Sequence, residues 1–567
     1  MKHIITVIAV MIALLQGGFT DAVWSMCGIA AAVFLCFRLK KCLPMPVMIT
    51  MAAIIPVYAV SALLHGLPFE SLAALGRLMV ICLMLLSFHN MDTDACETVF
   101  IAGMVVAVIG FVTFCDVFSW DGAVASRRLQ SVFQYSNVTG LFLGVSAFLT
   151  RRSEKKSSYS FFLETALVLT QSVGALLVYA AAWGMLIGKN RESRIAPVFL
   201  SFTVSLLSAA IIYAVVYYSG IPQIAILLPA ALIIFRKKLQ SVIVKVSAKK
   251  CALFASCGFS LIAVSALLAV RGLIPLGTYI ERLIHISDGA RILISYPLGI
   301  GPGAWQFFYQ THQSAPYDAT ILHSGYAEVG VEAGFLAVIP MVLFMLYWLK
   351  NQKWDDKSIC IIMIILHAAM DISFSFLVIA LITAMLISDT LPKDRSKLVP
   401  VPFRGLLAIP IALLTIVFAS SAVINSAQWE ANAGDIEAAS ARLESRLLYN
   451  GTEAALMQMR LSGQMGEFSR LDDVFGGMPV HNAEAYAIKA QSLIARGEYR
   501  EAAGYALMSA EMSPHSPAGF ALLEEAVLPL DTAARVYYHD RVSLLKEERK
   551  ENALFAFIRG MGGGVES

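Results

Sequence analysis

The sequence predicts an all-α polytopic membrane protein, a helical bundle of about 14–15 spans that carries a soluble helical-repeat domain at its C-terminal end. Three observations predict it. The chain is 58% apolar with a mean hydropathy of +0.70, far beyond the range of a soluble domain. Its long apolar runs alternate with short clusters of Lys and Arg. From residue 427 onward the composition changes to an Ala-rich, acidic, helix-forming stretch with 20 acids against 13 bases.

A membrane-crossing helix needs roughly 20 apolar residues. Suitable runs occupy 4–20, 22–37, 46–64, 71–89, 97–116, 132–150, 159–171, 173–188, 195–217, 221–235 and 252–270, then 327–349, 358–371, 374–390 and 405–425. The first lacks a small-residue cleavage site and reads as a retained helix. Six clusters, at 38–41, 151–156, 189–194, 236–250, 350–357 and 393–404, hold 23 basic residues. The loops of the opposite face hold five: Arg127, Arg128, Arg271, Arg282 and Arg291. Cytoplasmic loops retain Lys and Arg. The bias therefore predicts a multi-pass protein of the cell membrane, with its N-terminus cytoplasmic and its C-terminal domain extracytoplasmic. The nine cysteines lie in or beside apolar runs without metal-ligand spacing, so neither zinc nor a disulfide framework is expected. The acidic tail argues against nucleic-acid binding.

The membrane domain is expected over 1–426 and the tail over 427–567. Within the tail, 483–514 reads as two small-residue helices joined at Gly497-Glu498-Tyr499 and stopped by Pro514, with a weaker copy at 428–450. This resembles a tetratricopeptide unit, a 34-residue helix pair whose stacks bind proteins or peptides. A protein partner is therefore expected there.

Between two apolar runs lies the polar segment 271–326, placed outside by the charge rule. Structureless loops of that length are uncommon unless functional. Arg282 to Ser295 has helical periodicity, with Arg282, Ile286 and Ala290 on one face and Arg291 one position round. Pro297 and the glycines at 299, 301 and 303 break that helix and permit close backbone approach. The Gly-x-Gly-x-Gly run follows no predicted strand, so no dinucleotide site is read from it. His323 stands before a span, and an imidazole there suits general-base work. Glu328 and Glu332 are one helical turn apart near the start of that span, where carboxylates are electrostatically favoured. Arg77, seven residues after Glu70, and the pair His367 and Asp371 lie at membrane depth. Ionisable groups there usually face a protein interior or a watery cavity.

Four segments together resemble the O-antigen ligase and polymerase superfamily of membrane glycosyltransferases. They are Arg282 to Gly301 (an Arg-Leu…Asp-x-x-Arg-Ile…Tyr-Pro-x-x-Gly-x-Gly pattern), His323 to Gly334, Phe133-Gln134-Tyr135-Ser136-Asn137, and His367 to Phe374. The resemblance implies a GT-C-like fold and transfer of a glycan from an undecaprenyl-diphosphate carrier to an acceptor hydroxyl, without metal or nucleotide cofactor. It implies that Arg282 and Arg291 grip the diphosphate and that Gln134 and Asn137 contact substrate. His323 would activate the acceptor, and Asp371 or Glu332 would orient that imidazole. Arg77 would hold the second phosphate. One departure stands out: where the family carries Ser-Arg-Gly, this chain reads Ser172-Val173-Gly174. The missing guanidinium is then expected from Arg77, Arg127 or Arg128, or activity is weakened. The acceptor, whether lipid, glycan or protein, decides between ligase, polymerase and protein oligosaccharyltransferase. A transporter and an inactive scaffold are the readings from other classes.

Overall fold

The computed structural model describes residues 2–65, 68–189, 195–247, 274–392, 401–445 and 448–548. The expected span 252–270, Arg271, and the basic stretches 190–194 and 393–400 lie outside the described residues.

Seven helices are long and apolar enough to cross a membrane: Asp21–Arg38, Met45–Leu64, Phe69–His89, Ala95–Phe114, Pro197–Tyr218, Gly325–Lys350 and Arg404–Asn432. Four further apolar helices are shorter, among them Val173–Leu186 and Leu377–Thr390. The architecture is that of an all-α polytopic membrane protein. Against the expected 14–15 spans, some of them short, seven helices among the described residues reach spanning length and several apolar runs fold into shorter helices. Residues 159–171 form only the helix Ser160–Leu169. It is followed by a turn in which Gln171 takes φ +51°.

Side-chain placement on the helices inverts the soluble pattern. On Gly325–Lys350 the exposed residues include Phe335, Leu336, Ile339, Val342, Leu343 and Leu346, an apolar stripe at helical spacing facing outward. Such a stripe suits hydrocarbon and would be a liability in water. The interior is built around Ser136–Arg152, buried along nearly its whole length. Beside it the buried Glu164 accepts from Arg151 Nε at 2.9 Å and Nη2 at 3.0 Å. Tyr179 Oη at 2.7 Å and Ser205 Oγ at 3.0 Å also donate to Glu164. One charge pair with its hydrogen bonds satisfied thus ties four helices together.

The tail is helical, and its repeat is more regular than the sequence suggested. Second helices of successive pairs begin at Ile436, Phe468, Tyr499 and Thr532. The first three follow Gly-(Asp or Glu) turns in which Gly434, Gly466 and Gly497 have φ of +85°, +74° and +78°. Glycine takes that conformation without steric cost. The boundary expected at 427 corresponds to no break. Ala408–Asn432 is one helix running from the membrane domain into the tail, and Ala427 is buried with Leu443, Met457 and Leu461. The composition shift there marks a change of environment and carries no helix-breaking residue before Gly434.

The tail seats directly on the membrane domain. Phe69 N donates to Asn450 O at 2.9 Å. Glu70 Oε1 accepts from Glu453 N at 2.9 Å, so a carboxylate from a membrane helix caps the tail helix Thr452–Met465.

Candidate functional site

The helix Ile274–Ser295 matches the periodicity read from Arg282 onward. Its buried face follows Arg282, His285, Asp288 and Ile292. The face expected through Ile286 and Ala290 is its edge, Ala290 being exposed. Arg282 Nη1 lies 3.0 Å from Asp371 Oδ2 and donates to Met370 O at 2.9 Å. Asp371 also accepts from Asn137 Nδ2 at 3.0 Å and from Ile372 N at 2.8 Å. Asn137 Oδ1 accepts from Arg128 Nη2 at 2.9 Å, and Arg128 Nε donates to Thr170 O at 3.0 Å. Four sequence-predicted residues, drawn from three distant segments, thus form one network: Arg128, Asn137, Asp371 and Arg282. Both contacts of Arg282 use Nη1, and its Nε is buried without a partner among the described residues.

His323 completes this region from the other side. It precedes Ser324, whose side chain caps the helix Gly325–Lys350. Its ring lies 5.3 Å from that of His285, which lies 4.1 Å from Tyr317. Both nitrogens of His285 and Nδ1 of His323 are buried without hydrogen-bond partners among the described residues. Burial lowers the proton affinity of His323. The Arg282 charge lowers it further, and Asp371 opposes it. Burial, then His323 and Arg282, push His285 down to about 3. Both rings are therefore neutral near pH 7, the form a base needs. The expected orienting contact is not made. The Asp371 oxygens serve Arg282, Asn137 and Ile372, while Glu332 Oε1 accepts from Gly303 N at 2.7 Å. His367 Nδ1 is paired with Ser373 Oγ at 2.7 Å. A Cβ on Gly174 would sit 3.6 Å from His367 Nε2, so the segment of the missing arginine borders this network.

Other predicted residues go elsewhere. Arg291 pairs with Asp288, which also accepts from Ser314 N at 2.8 Å and Tyr317 Oη at 2.9 Å. Arg291 therefore helps staple the loop to its helix. It stands nine residues from Arg282, about 13 Å along the axis. Gln134, at φ +56°, accepts from Gln16 and donates to Asp121 O, holding a turn. Arg127 is exposed, its guanidinium 5.2 Å from the centre of the Tyr217 ring.

The glycine run is explained by close approach. Ile300 N donates to Val331 O at 2.9 Å, and Phe335 N to Pro297 O at 3.0 Å, across a helix unwound at Gly334, φ +71°. A Cβ at Gly299 would overlap Glu332 O, and one at Gly303 would come within 2.7 Å of Glu70 O. No anion role is needed to account for these glycines.

Arg77 and Glu332 belong to a separate cavity of about 660 Å³, whose lining contains neither Arg282 nor His323. Arg77 Nε donates to Asp21 Oδ1 at 2.6 Å. Besides Asp21, the cavity is lined by Glu70, Glu328, Glu332 and Glu453. A phosphate beside Arg77 would meet carboxylates outnumbering cations, which disfavours the expected second-phosphate role. Sequence reasoning missed His285, although it lies three residues from Arg282 on the same face. It also missed Asp21 and Tyr58 of the cavity, which no spacing links to the loop. Among the described residues no group of three or more His, Cys, Asp or Glu is placed to hold a metal ion. No protein-family model matches this chain, and no curated protein matches it.

Proposed function

We propose that this protein is a membrane glycosyltransferase that moves a glycan from an undecaprenyl-diphosphate carrier to an acceptor hydroxyl on the outer face of the cell membrane. The observation that carries the reading is the buried Arg128–Asn137–Asp371–Arg282 network beside His323. On this reading Asp371 fixes Arg282 through Nη1 and leaves its Nε edge to grip diphosphate oxygens in bidentate fashion. His323 removes the acceptor proton as the acceptor oxygen bonds the anomeric carbon. The bond from that carbon to the diphosphate oxygen breaks, and the lipid diphosphate leaves with the electron pair, stabilised by the guanidinium. Of the three arginines considered for the Val173 departure, Arg128 is favoured, because it is bonded to Thr170 O three residues away.

The experiment uses purified protein and lipid-linked donor, after equal membrane levels have been verified. His323→Ala is expected to lower transfer by roughly 10²–10⁴-fold, the usual worth of a positioned base. Arg282→Lys keeps the charge, loses the fork and is expected to be strongly impaired. Wild-type rates for both would reject the assignment. Full-length glycan accumulating on its carrier in a deletion strain would name a ligase, single repeats a polymerase, and a depleted glycoprotein a protein oligosaccharyltransferase. The 23-to-five distribution of basic residues supports an outside tail. In a background free of native cysteines, Met508→Cys, an exposed position, should then react with an impermeant thiol reagent in whole cells. Labelling only after lysis would place the site in the cytoplasm.

A further inference from the structure

The cavity that holds Arg77 has two chemically different ends. Its deep end is apolar, walled by Val47, Met51, Leu85, Met341 and Phe344. Its other end, beside the tail, gathers Asp21, Glu70, Glu328, Glu332 and Glu453 around Arg77, the one cation among the described lining residues. Along Phe69–His89 the lining runs from Phe69 to Leu85, about 24 Å at the helical rise. The space is therefore elongated, with one apolar end, its depth, and one acidic end, its mouth.

The mouth is under-compensated. Arg77 is committed to Asp21. Glu328 and Glu332 stand one turn apart on one helix, where like charges repel. Glu70 lines the cavity and is only 6% exposed, and its Oε2, shielded beside Gly451, has no hydrogen-bond partner among the described residues. An unsatisfied buried carboxylate oxygen is costly and asks for a donor.

We infer that this cavity binds an amine-bearing amphiphile, with its hydrocarbon chain in the apolar depth and its ammonium group among Glu70, Glu328 and Glu332. A primary ammonium offers three N–H donors and the charge the carboxylates lack. The inference goes beyond glycosyl transfer and does not depend on it.

The test uses the full chain in phosphatidylcholine nanodiscs and three radiolabelled probes: dodecylamine, dodecanol and dodecyl phosphate. Saturable dodecylamine binding is expected, at least tenfold tighter than that of dodecanol. The double variant Glu328→Gln/Glu332→Gln should abolish that preference while leaving dodecanol binding unchanged, which also reports an intact cavity. Glu70→Gln, which keeps an acceptor oxygen for the tail helix, should weaken the amine alone. Equal binding of amine and alcohol would overturn the inference. So would tighter dodecyl phosphate binding lost in Arg77→Gln, which would mark an anion site instead. Failure here leaves the His323 and Arg282 transfer assay untouched, and failure of that assay leaves this binding result standing.

Discussion

The Arg282 network and the Arg77 cavity adjoin near His323, whose neighbours Ile321 and Gly325 line the cavity, yet they are opposites. The first is closed: Arg282 is 8% exposed and Asp371 1%, and each is bonded to the other. The second is an elongated space in which one arginine faces five carboxylates. His323 and Glu332, only nine residues apart, fall on different sides of this division. The difference teaches that a charge at membrane depth can be made tolerable in two ways. It can be paired tightly inside protein, or it can be left beside a space that something else enters.

Removing one partner from the closed network should have the largest effect on stability. Asp371→Ala strands a buried guanidinium and is expected to destabilise by about 3–5 kcal/mol, read as the unfolding midpoint in detergent. Glu328→Gln in the cavity should be neutral or stabilising, since it removes a repulsion. Equal losses for the two variants would erase the contrast. Gly334→Ala comes next, because it strains the φ +71° turn that separates the two regions. It also pushes a Cβ into Pro297 O. A cost of about 1–3 kcal/mol from the backbone alone is expected, with both transfer and amine binding disturbed. An effect confined to one of them would show the regions to be independent of that turn.

The histidine pair predicts a pH dependence. His285 binds its proton far more weakly folded than unfolded, about 3 against an ordinary value near 6.5. The folded state thus carries fewer protons. Its stability is full above pH 6.5 and falls as pH drops toward 3, by up to about 1.4 kcal/mol per pH unit. His285→Leu should flatten that slope relative to the parent chain. An unchanged slope would mean the ring is solvated. The smallest effect is expected at Arg291→Ala. This half-exposed partner leaves Asp288 its bonds from Ser314 and Tyr317, so the cost should stay within about 1 kcal/mol. A larger loss, together with lost transfer, would return Arg291 to the site.

Much of this was legible because it rests on local periodicity. The helix through Arg282, the break at Pro297 and the Gly497 turn follow from nearest-neighbour sterics, and the glycines at 299 and 303 signal close approach without revealing the Glu332 and Glu70 backbones they meet. The repeat at Met465-Gly466-Glu467-Phe468 escaped because its flanks lack the small-residue pattern seen around Tyr499. What sequence withheld was partnership across the fold. Nothing local links Arg77 to Asp21, 56 residues earlier, or Asn137 to Asp371, 234 residues later. Nor does spacing reveal that unwinding at Gly334 lets the 297–303 segment engage the Glu332 carboxylate.

The unbroken helix Ala408–Asn432 has a mechanical consequence. It is a stiff rod of 25 residues anchored at one end among the membrane helices and at the other in the first helix pair of the tail. Turning the repeats against the membrane helices would therefore have to bend this helix, because no glycine interrupts it before Gly434. A second attachment lies where Glu70 Oε1 accepts from Glu453 N at the start of Thr452–Met465. Two attachments, the continuous helix and the Glu70 contact, therefore restrain the tail against swinging on the rod alone.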